Sequence, residues 1–298
     1  MNVQPLDLLQ GQVAVNNTLA SSLGFGVTTD KVFDGTWTFD AMLQMIQAAA
    51  ADIDGSGTMD QNDQYGFIGG VGNINPMIVG AERKYIVTDN GQMRLNYGSE
   101  GVIAAAGKMD PIINNKATSV YLNEQSWGND VWKSGRALLI GVMVGTFYND
   151  YRSLELDISL LPVPKYDEQQ EKYHSMLSNC SMGVTVPASA SDPERTGNIV
   201  EALNAYSYIT MNEVYYETTL QIKLARDDAS QKILEIIVNS KTPDLAVFNE
   251  NAWGNIITDF LNSFHKNGAS QLASLAEKNA EKFQKIAEKI VGEYEALE

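Results

Sequence analysis

The 298-residue sequence predicts an α/β fold. Short apolar runs typical of buried strands are interspersed with segments of helical periodicity, and a mostly helical half follows residue 187. With 44% hydrophobic and 19% charged residues, the chain can bury a large core as one domain or as two lobes. The mixture of strands and helices argues against a helical bundle or a β-sandwich.

The first half is predicted to contain one well-defined helix and several strands. The helix starts after Thr38, a suitable N-cap, and Asp40 lies in its first turn, where the helix dipole favours an acidic side chain. Glycines that follow the first predicted strand suggest a loop. The uninterrupted apolar run at 137–144 is typical of a central strand that is covered on both faces. The predicted strands are 65–68, 137–144, 158–161 and 182–186.

The second half is predicted to be helical. Residues 191–194 form a capping box with a proline in the first turn, and an apolar stripe follows them. The residues of this stripe are Ile199, Val200, Leu203, Tyr206 and Ile209. Further helices are expected at 214–224, 229–238, 251–264 and from about 272 onward.

The charge balance excludes some partners. A formal net charge of -16 opposes binding to nucleic acid or to anionic membrane surfaces.

The single cysteine, Cys180, excludes an internal disulfide framework. No apolar run approaches the roughly 20 residues that span a bilayer, and residues 1–5 show neither the basic nor the apolar region of a signal peptide.

The most specific local motif is the acidic loop of residues 52–63. Its oxygen donors recur at the spacing of a helix-loop-helix calcium site, and Gly57 occupies the position that requires a sharp turn. The predicted ligands are Asp52, Asp54, Ser56, the carbonyl group of Thr58, Asp60 and Asp63. Because the last ligand is Asp and not Glu, we expect modest affinity, with a Kd of about 10⁻⁴ to 10⁻³ M. Because a strand-like run at 64–67 follows the loop in place of a second helix, we expect the Ca²⁺ to be structural. The alternative is an acidic turn without an ion.

Sequence signatures of enzymes are absent. There is no metalloprotease, nucleophile-elbow or phosphate-loop motif, and the two histidines are expected at the surface. Glycoside hydrolysis needs only two carboxylates, so it remains the enzymatic alternative among 37 acidic residues. A calcium-stabilised interaction module is the third interpretation. The aromatic candidates for stacking on sugar rings, each of which could equally pack in the core, are Trp127, Trp132, Tyr148 and Trp253.

The motif order resembles that of the family 1 extracellular solute-binding proteins, the sugar-binding subunits of bacterial ABC importers. The resemblance covers the chain from Asn17 onward and rests on motifs that occur in the family's order. These are Trp-Thr-Phe-Asp at 37–40, the acidic loop, Asn-Asp-Gln-Tyr-Gly at 62–66, Trp-Lys-Ser-Gly-Arg-Ala-Leu at 132–138, Leu-Leu-Pro-Val-Pro-Lys at 160–165, Met-Gly-Val-Thr-Val-Pro at 182–187 and the segment 215–227.

The resemblance implies a periplasmic-binding-protein type II-like fold, in which two α/β lobes close on a ligand. This chain would lack most of its amino-terminal lobe. By analogy, residues 1–29 are a remnant of that lobe and a linker, and 30–185 form the second lobe. Residues 186–243 return to the first lobe, and 244–298 pack on the second lobe. Helices without their partner sheet would leave an exposed apolar patch prone to self-association.

The resemblance also implies a function and a site. The ligand would be a carbohydrate, the partners would be the permease subunits, and no catalysis is expected. The protein would be extracellular and lipid-anchored, with its signal segment absent from this chain. The candidate ligand-binding residues are Trp253, Asn73 and Asn75, which are expected in a loop after Gly70, and Tyr148 and Asn149, just past the central strand.

Overall fold

The computed structural model describes residues 9–151, 153–178, 184–187, 189–212 and 227–296. The strands are β1 Leu9–Gln10, β2 Gln12–Asn16, β3 Tyr65–Gly69, β4 Ile86–Asp89, β5 Gln92–Leu95, β6 Ser119–Tyr121, β7 Ala137–Val142, β8 Ile158–Leu161, β9 Ser175–Leu177 and β10 Lys241–Thr242. The α-helices are α1 Asn17–Ser22, α2 Thr28–Phe33, α3 Phe39–Ala49, α4 Val71–Gly80, α5 Glu100–Ile113, α6 Gly128–Lys133, α7 Val144–Thr146, α8 Pro193–Ser207, α9 Asp228–Asn239, α10 Leu245–Phe248, α11 Ile256–Asn267 and α12 Leu272–Glu295.

A five-stranded sheet with the order β6-β3-β7-β2-β8 forms the centre of the fold. Strands β6, β3 and β7 run parallel, whereas β2 is antiparallel to both of its neighbours. The apolar runs predicted at 65–68, 137–144 and 158–161 are confirmed as β3, β7 and β8. Their burial explains their composition, since strands covered on both faces have few positions for polar side chains.

The beginning of the chain contributes directly to this sheet. Strand β2 inserts between β7 and β8, with Val13 opposite Gly141 and Leu161. Strand β1 instead pairs with β9 in a separate three-stranded sheet that β10 completes. Gly11 joins the two strands at φ +79°, a left-handed conformation that favours glycine. The segment 1–29, interpreted from the sequence as a remnant and linker, therefore supplies strands to both sheets.

Side-chain caps define where the helices begin. Thr38 accepts a hydrogen bond from the backbone N–H of Ala41 and starts α3, and Asp40 lies in the first turn, as predicted. Asp192 accepts from Arg195 N–H, and Pro193 occupies the first turn of α8. Helix α9 also begins and ends within a residue of its predicted bounds.

Two predicted assignments were wrong. The glycine-rich segment after β3 is not a loop, because α4 begins at Val71, directly after Gly70. The helix predicted at 251–264 is interrupted: a short 3₁₀ turn ends at Trp253, and α11 starts only at Ile256. Left-handed Gly254 and Asn255 separate the two pieces, which apolar spacing alone does not reveal.

Part of the sequence-based assignment lies outside the described residues. This applies to the helix predicted at 214–224, to Cys180 and to the first two residues of the strand predicted at 182–186. Residues 184–186 of that predicted strand have no regular structure. The short strands β1, β2, β6, β9 and β10 and the β4–β5 hairpin were not predicted.

The helices cover the central sheet and extend the core. Helices α3 and α5 pack on β3, and α1, α2 and α9 pack on β8. Trp37 is fully buried, and its indole N–H donates to the carbonyl oxygen of Pro162. Within the described residues, no helix combines the length and apolar content needed to cross a membrane.

The apolar stripe of α8 is exposed to solvent. No residue of α8 is buried, and Leu203 retains 51% and Tyr206 69% of its accessible surface. The stripe continues to Ile209, which is 67% exposed, in the π-helical turn after α8. The expected exposed patch is therefore present. Self-association through it stays a prediction.

Candidate functional site

A cavity of about 700 Å³ opens at the carboxyl ends of the parallel strands. Residues 70–73 follow β3, Leu122 and Asn123 follow β6, and residues 143–151 follow β7. Gln10 and Gly11 reach the same edge because β2 runs in the opposite direction. Ligands of open α/β folds commonly bind at this edge of the sheet, where loops from several strands converge.

Side-chain amides dominate the polar lining of the cavity. Five residues supply them, namely Gln10, Asn73, Asn123, Asn129 and Asn149. Asn73 Oδ1 accepts from Gly70 N–H (3.0 Å), Asn123 Oδ1 accepts from Val71 N–H (2.9 Å), and Asn129 Oδ1 accepts from the Tyr151 hydroxyl (3.4 Å). With their oxygen atoms engaged by the protein, these three amides present Nδ2 donors.

Charged groups complement the amides. Lys133, at the end of α6, and Asp150, in the turn after α7, line the same cavity, and both side chains are exposed. The lining therefore offers donors from amides and an ammonium group, together with one carboxylate as an acceptor. Such a mixture suits a ligand whose groups both donate and accept hydrogen bonds, such as hydroxyl groups.

Two tight contacts fix the geometry of the cavity wall. A Cβ atom on Gly141 would lie 1.9 Å from Asn73 Nδ2, so the Asn73 amide packs directly on the backbone of β7. A Cβ atom on Gly70 would lie 2.5 Å from Asn123 Oδ1. At both positions a side chain larger than glycine would displace the neighbouring amide.

The structure brings together two of the predicted ligand-binding residues. Asn73 and Asn149 line the cavity. Asn73 does so from the first turn of α4 and not from a loop, and it is mostly buried. Tyr148 lies beside Asn149, half-buried, with its ring edge-on to Phe147 at 5.1 Å.

The other two candidates lie elsewhere. Asn75 is on α4, where its Oδ1 accepts from the Tyr85 hydroxyl at 2.7 Å. Trp253 is only 2% exposed, stacks on Phe283 at 5.5 Å, and donates its indole N–H to the Leu245 carbonyl group. It borders a second cavity of about 600 Å³. Its role in ligand binding stays a prediction.

Sequence reasoning missed Gln10, Asn123 and Asn129. None of them lies in a recognisable motif, and the strands that place Gln10 and Asn123 have only two or three residues. One usable signal was available: polar residues directly after a predicted parallel strand point to the ligand edge of an α/β sheet. This criterion identifies Asn149, which follows β7. It would identify Asn123 only if the three-residue strand β6 had been predicted.

The acidic loop 52–63 lies at the opposite end of β3. Asp52, Asp54 and Asp63 each place one carboxylate oxygen within 4.8 Å of the others. Gly57 has φ +80°, consistent with the sharp turn expected there. These three side chains have the oxygen chemistry that Ca²⁺ prefers. Because β3 has five residues, the loop is separated from the cavity by about 17 Å.

Backbone hydrogen bonds preorganise this loop. Both Asp52 oxygens accept from backbone N–H groups, including that of Gly57 at 2.7 Å, and these bonds lower the pKa of Asp52. Asp63 is fully buried and accepts from the N–H groups of Ile53 (2.9 Å) and Asp60 (2.8 Å). The carboxylates are therefore held close together by local structure.

The remaining predicted ligands are not part of the three-carboxylate cluster. Asp60 Oδ1 accepts from Asn62 N–H at 2.7 Å, and the Ser56 hydroxyl donates to the Thr58 carbonyl oxygen at 2.9 Å. The structure thus brings together three of the four predicted carboxylate ligands. Calcium binding stays a prediction.

Comparison with protein-family models and with curated proteins gives no match. Solved structures do match. The sugar-binding protein MalE from Xanthomonas citri aligns with a TM-score of 0.62 at 12% identity, over 97% of this chain and 71% of that one. An ABC substrate-binding protein from Listeria monocytogenes in complex with cycloalternan aligns with a TM-score of 0.60 at 10% identity, over 93% and 69% of the two chains.

A third structure agrees with these two. The maltose/maltodextrin-binding domain MalE from Bdellovibrio bacteriovorus, bound to maltotriose, aligns with a TM-score of 0.57 at 13% identity, over 95% of this chain and 72% of that one. At such low identity the likeness establishes the fold. The chain therefore has the α/β fold of the periplasmic-binding-protein type II class, over about 70% of the length of these binding proteins.

Proposed function

We propose that this chain captures a carbohydrate for uptake by an ABC transporter, as a family 1 extracellular solute-binding protein anchored by lipid at the outer face of the membrane. The observation that carries this proposal is the amide-lined cavity at the carboxyl ends of β3, β6 and β7. In this role the chain binds its ligand without transforming it and delivers it to the permease subunits.

The chemistry of the cavity favours a polyhydroxylated ligand. A hydroxyl group accepts one hydrogen bond while donating another, so it can pair with an Asn123 or Asn129 Nδ2 donor and with the Asp150 carboxylate. Amide side chains carry no net charge and suit a neutral sugar better than an ionic ligand. The matching folds of proteins whose structures contain cycloalternan and maltotriose support the same class of ligand.

Glycoside hydrolysis is the weaker alternative for this cavity. Glycosidases place two carboxyl groups about 5 to 9.5 Å apart around the scissile bond. Among the described residues that line the cavity, Asp150 is the only one with a carboxylate. Binding is therefore favoured over hydrolysis, and chromogenic glycosides provide a direct check of turnover.

We also propose that loop 52–63 binds Ca²⁺ for structural support. The clustered carboxylates of Asp52, Asp54 and Asp63 support this proposal. An ion there would hold the segment between α3 and β3. Because the cavity lies at the far end of β3, the ion would stabilise the fold without touching the ligand.

The test of the proposed function is thermal unfolding with maltotriose, maltose and a panel of monosaccharides, because a ligand that binds only the folded state raises Tm. We expect a specific sugar to raise Tm and no chromogenic glycoside to be cleaved. The variant Asn149→Ala should weaken the shift. The Asn149 side chain is exposed and makes no hydrogen bond within the described part of the chain, so its truncation should leave the fold intact.

The matched control is Asn198→Ala, an exposed asparagine on α8 remote from the cavity. It should respond to the sugar as wild type does. Absence of any sugar shift at millimolar concentration, or equal losses in both variants, would count against this cavity as a carbohydrate site.

A further inference from the structure

The His265 side chain lies between two hydrogen-bond acceptors. Its Nε2 is 2.8 Å from Glu124 Oε1, and its Nδ1 is 3.2 Å from Asn114 Oδ1. The orientation of the Asn114 amide is fixed, because its Nδ2 donates to Asp110 Oδ1 (2.7 Å) and to the Phe264 carbonyl oxygen (3.2 Å). The oxygen of Asn114 must therefore face the imidazole ring.

Both contacts can be hydrogen bonds only when the ring is cationic. A neutral imidazole has one N–H donor and one lone pair, whereas the imidazolium ion has two donors. Glu124 is an acceptor because the hydrogen bond from His265, and then the one from Lys116, lowers its pKa. A neutral ring would leave a lone pair facing either the Glu124 carboxylate or the Asn114 carbonyl oxygen.

Charged groups and an aromatic ring surround His265. The residue lies in the last turn of α11, where the helix dipole stabilises positive charge. Asp110 on α5 contributes negative charge through Asn114, and Lys116, 3.3 Å from Glu124 Oε2, opposes the cation. The Tyr121 ring stacks on the imidazole at 3.9 Å with an interplanar angle of 9°. Within the described part of the chain, Glu124 and Tyr121 contact the imidazole ring directly. Asp110 and Lys116 each contact a residue that is itself a partner of His265.

The contacts of His265 lead to the cavity wall. Tyr121 and Glu124 are the first and fourth residues of the turn after β6, and the Glu124 N–H closes this turn by donating to the Tyr121 carbonyl oxygen. Between them, Leu122 donates its N–H to the Gly69 carbonyl oxygen at 2.7 Å, and Asn123 accepts from Val71 N–H. Leu122 and Asn123 both line the cavity.

We propose that His265 is a positioning residue for the cavity and that its cationic form holds the turn 121–125 in the conformation that presents Asn123. Loss of the Nε2 proton removes the donor to Glu124. The turn then loses one of its anchors to α11, and the rim of the cavity, formed by Val71, Leu122 and Asn123, loosens. The link to ligand affinity rests on the proposed function, but the link between His265 and the rim does not.

The direction of the pH effect follows from the charge. Both hydrogen bonds are present when the ring is protonated, and the neutral ring keeps only one of them. The rim should therefore be most ordered, and ligand affinity highest, at acidic pH.

The test follows NMR signals from pH 5 to 8 in the intact chain. The imidazole signals of His265 and the backbone amide signals of Val71 and Leu122 should shift with a common midpoint. In His265→Gln, which retains a neutral amide donor, the rim signals should no longer titrate. An imidazole midpoint that the rim signals do not follow, or rim titration that persists in His265→Gln, would overturn the proposal.

His174 provides a matched control. Its Nε2 is 2.8 Å from Glu82 Oε1, and its Nδ1 is 2.9 Å from Thr242 Oγ1, whose hydroxyl proton is donated to the Ser240 carbonyl oxygen. It thus faces two acceptors like His265, but neither of these partners belongs to the cavity rim. His174→Gln should leave the rim titration unchanged, and loss of the titration in this variant would contradict the assignment to His265.

A second measurement concerns the ligand. With whichever sugar of the panel stabilises the wild-type chain, affinity should be about fivefold or more higher at pH 5.5 than at pH 8, and this ratio should approach one in His265→Gln. If a sugar binds equally at both pH values while the rim titrates, the proposed function stands and the functional role of His265 is disproved. If no sugar binds, the NMR titration still decides the structural link.

Discussion

At the scale of single residues, the sequence predicts chemistry better than location. Asn73 and Asn149 are amides that follow strand ends, and both line the cavity, whereas their role in ligand binding stays a prediction. Trp253 is the aromatic residue expected to stack on a sugar, yet its ring is buried against Phe283. Whether an aromatic side chain faces a ligand or the core depends on which elements cover it. That information comes from tertiary packing and not from the identity of the residue.

The contact between Gly141 and Asn73 gives a prediction at this scale. In Gly141→Ala, the new methyl group would displace the Asn73 amide, since its carbon atom would lie 1.9 Å from Nδ2. We expect a loss of stability of about 1 to 3 kcal/mol from overpacking. We also expect about tenfold weaker sugar binding, equivalent to one hydrogen bond of roughly 1.4 kcal/mol. Chemical denaturation and titration calorimetry measure the two effects.

The control for this variant is Gly107→Ala in α5, where an added Cβ atom meets no neighbour within 4 Å. It should be neutral or stabilising by about 0.4 to 1 kcal/mol and leave affinity unchanged. In an Asn73→Ala background, Gly141→Ala should cause no further loss of affinity, because the displaced group is already absent. Additive losses would show that Gly141 acts through another contact.

At the scale of elements, the helices and strands predicted from caps and long apolar runs were confirmed, whereas most short strands were not predicted. Helix α3 and strand β7 were predicted because Thr38 and an uninterrupted apolar run act locally. Strand β2 was not predicted, because its five residues include Gln12 and Asn16, which are buried polar residues. Gln12 donates to the Gln10 carbonyl oxygen, and Asn16 caps α1. Hydrogen bonds compensate the burial of these side chains, and the apolar pattern of the sequence does not show them.

Helix α4 shows the opposite error. The glycines after β3, among them Gly70 and Gly72, suggested a loop, yet Val71–Gly80 is helical. The Asn73 side-chain carbonyl group accepts from the Gly70 N–H and so stabilises the first turn. A Cβ atom on Gly11 would lie 2.0 Å from Pro76 Cβ, so α4 packs closely on the β1–β2 junction. Packing and capping outweigh the unfavourable local propensity.

The acidic loop gives a prediction at the scale of elements. With a Kd of about 10⁻⁴ to 10⁻³ M, 10 mM Ca²⁺ should stabilise the fold by about 1.4 to 2.7 kcal/mol. Asp54→Asn should abolish most of this shift. It removes a ligand charge, but it retains the Oδ1 acceptor of the Ser56 N–H hydrogen bond. Thermal unfolding with CaCl₂, and with MgCl₂ for comparison, measures the effect.

Asp34→Asn, an exposed residue after α2, is the charge-matched control and should retain the full calcium shift. Sugar binding should be unchanged in both variants, because the loop and the cavity lie at opposite ends of β3. A calcium response that survives in Asp54→Asn would remove this carboxylate from the ligand set. A change in sugar affinity on adding calcium would show a coupling that the separation of the two sites does not suggest.

At the scale of the whole molecule, the fold class was predictable because strands and helices alternate over most of the chain. The order of motifs also pointed to a solute-binding protein, and the structural likeness agrees with that fold over about 70% of each matched chain. The positions of residues 9–16 were not predictable, since both sheets take strands from them through long-range pairing. The division into lobes stays a prediction.

The exposed apolar stripe of α8 gives a prediction about self-association. Burial of the stripe would favour association of two chains, whereas their like net charge opposes it. Burial of Leu203, Tyr206 and Ile209 between two chains would favour association by about 25 cal/mol for each Å² of apolar surface removed from water. The formal net charge of -16 opposes the approach of two chains.

Sedimentation velocity at low and high salt tests this balance. Raising NaCl from about 0.05 M to about 0.5 M shortens the Debye length, so self-association should increase with salt. Leu203→Glu should suppress the increase. Val27→Glu, which adds the same charge at another exposed apolar residue, should not. Monomers at every salt concentration, or equal effects of both variants, would show that charge alone governs association and that the stripe does not.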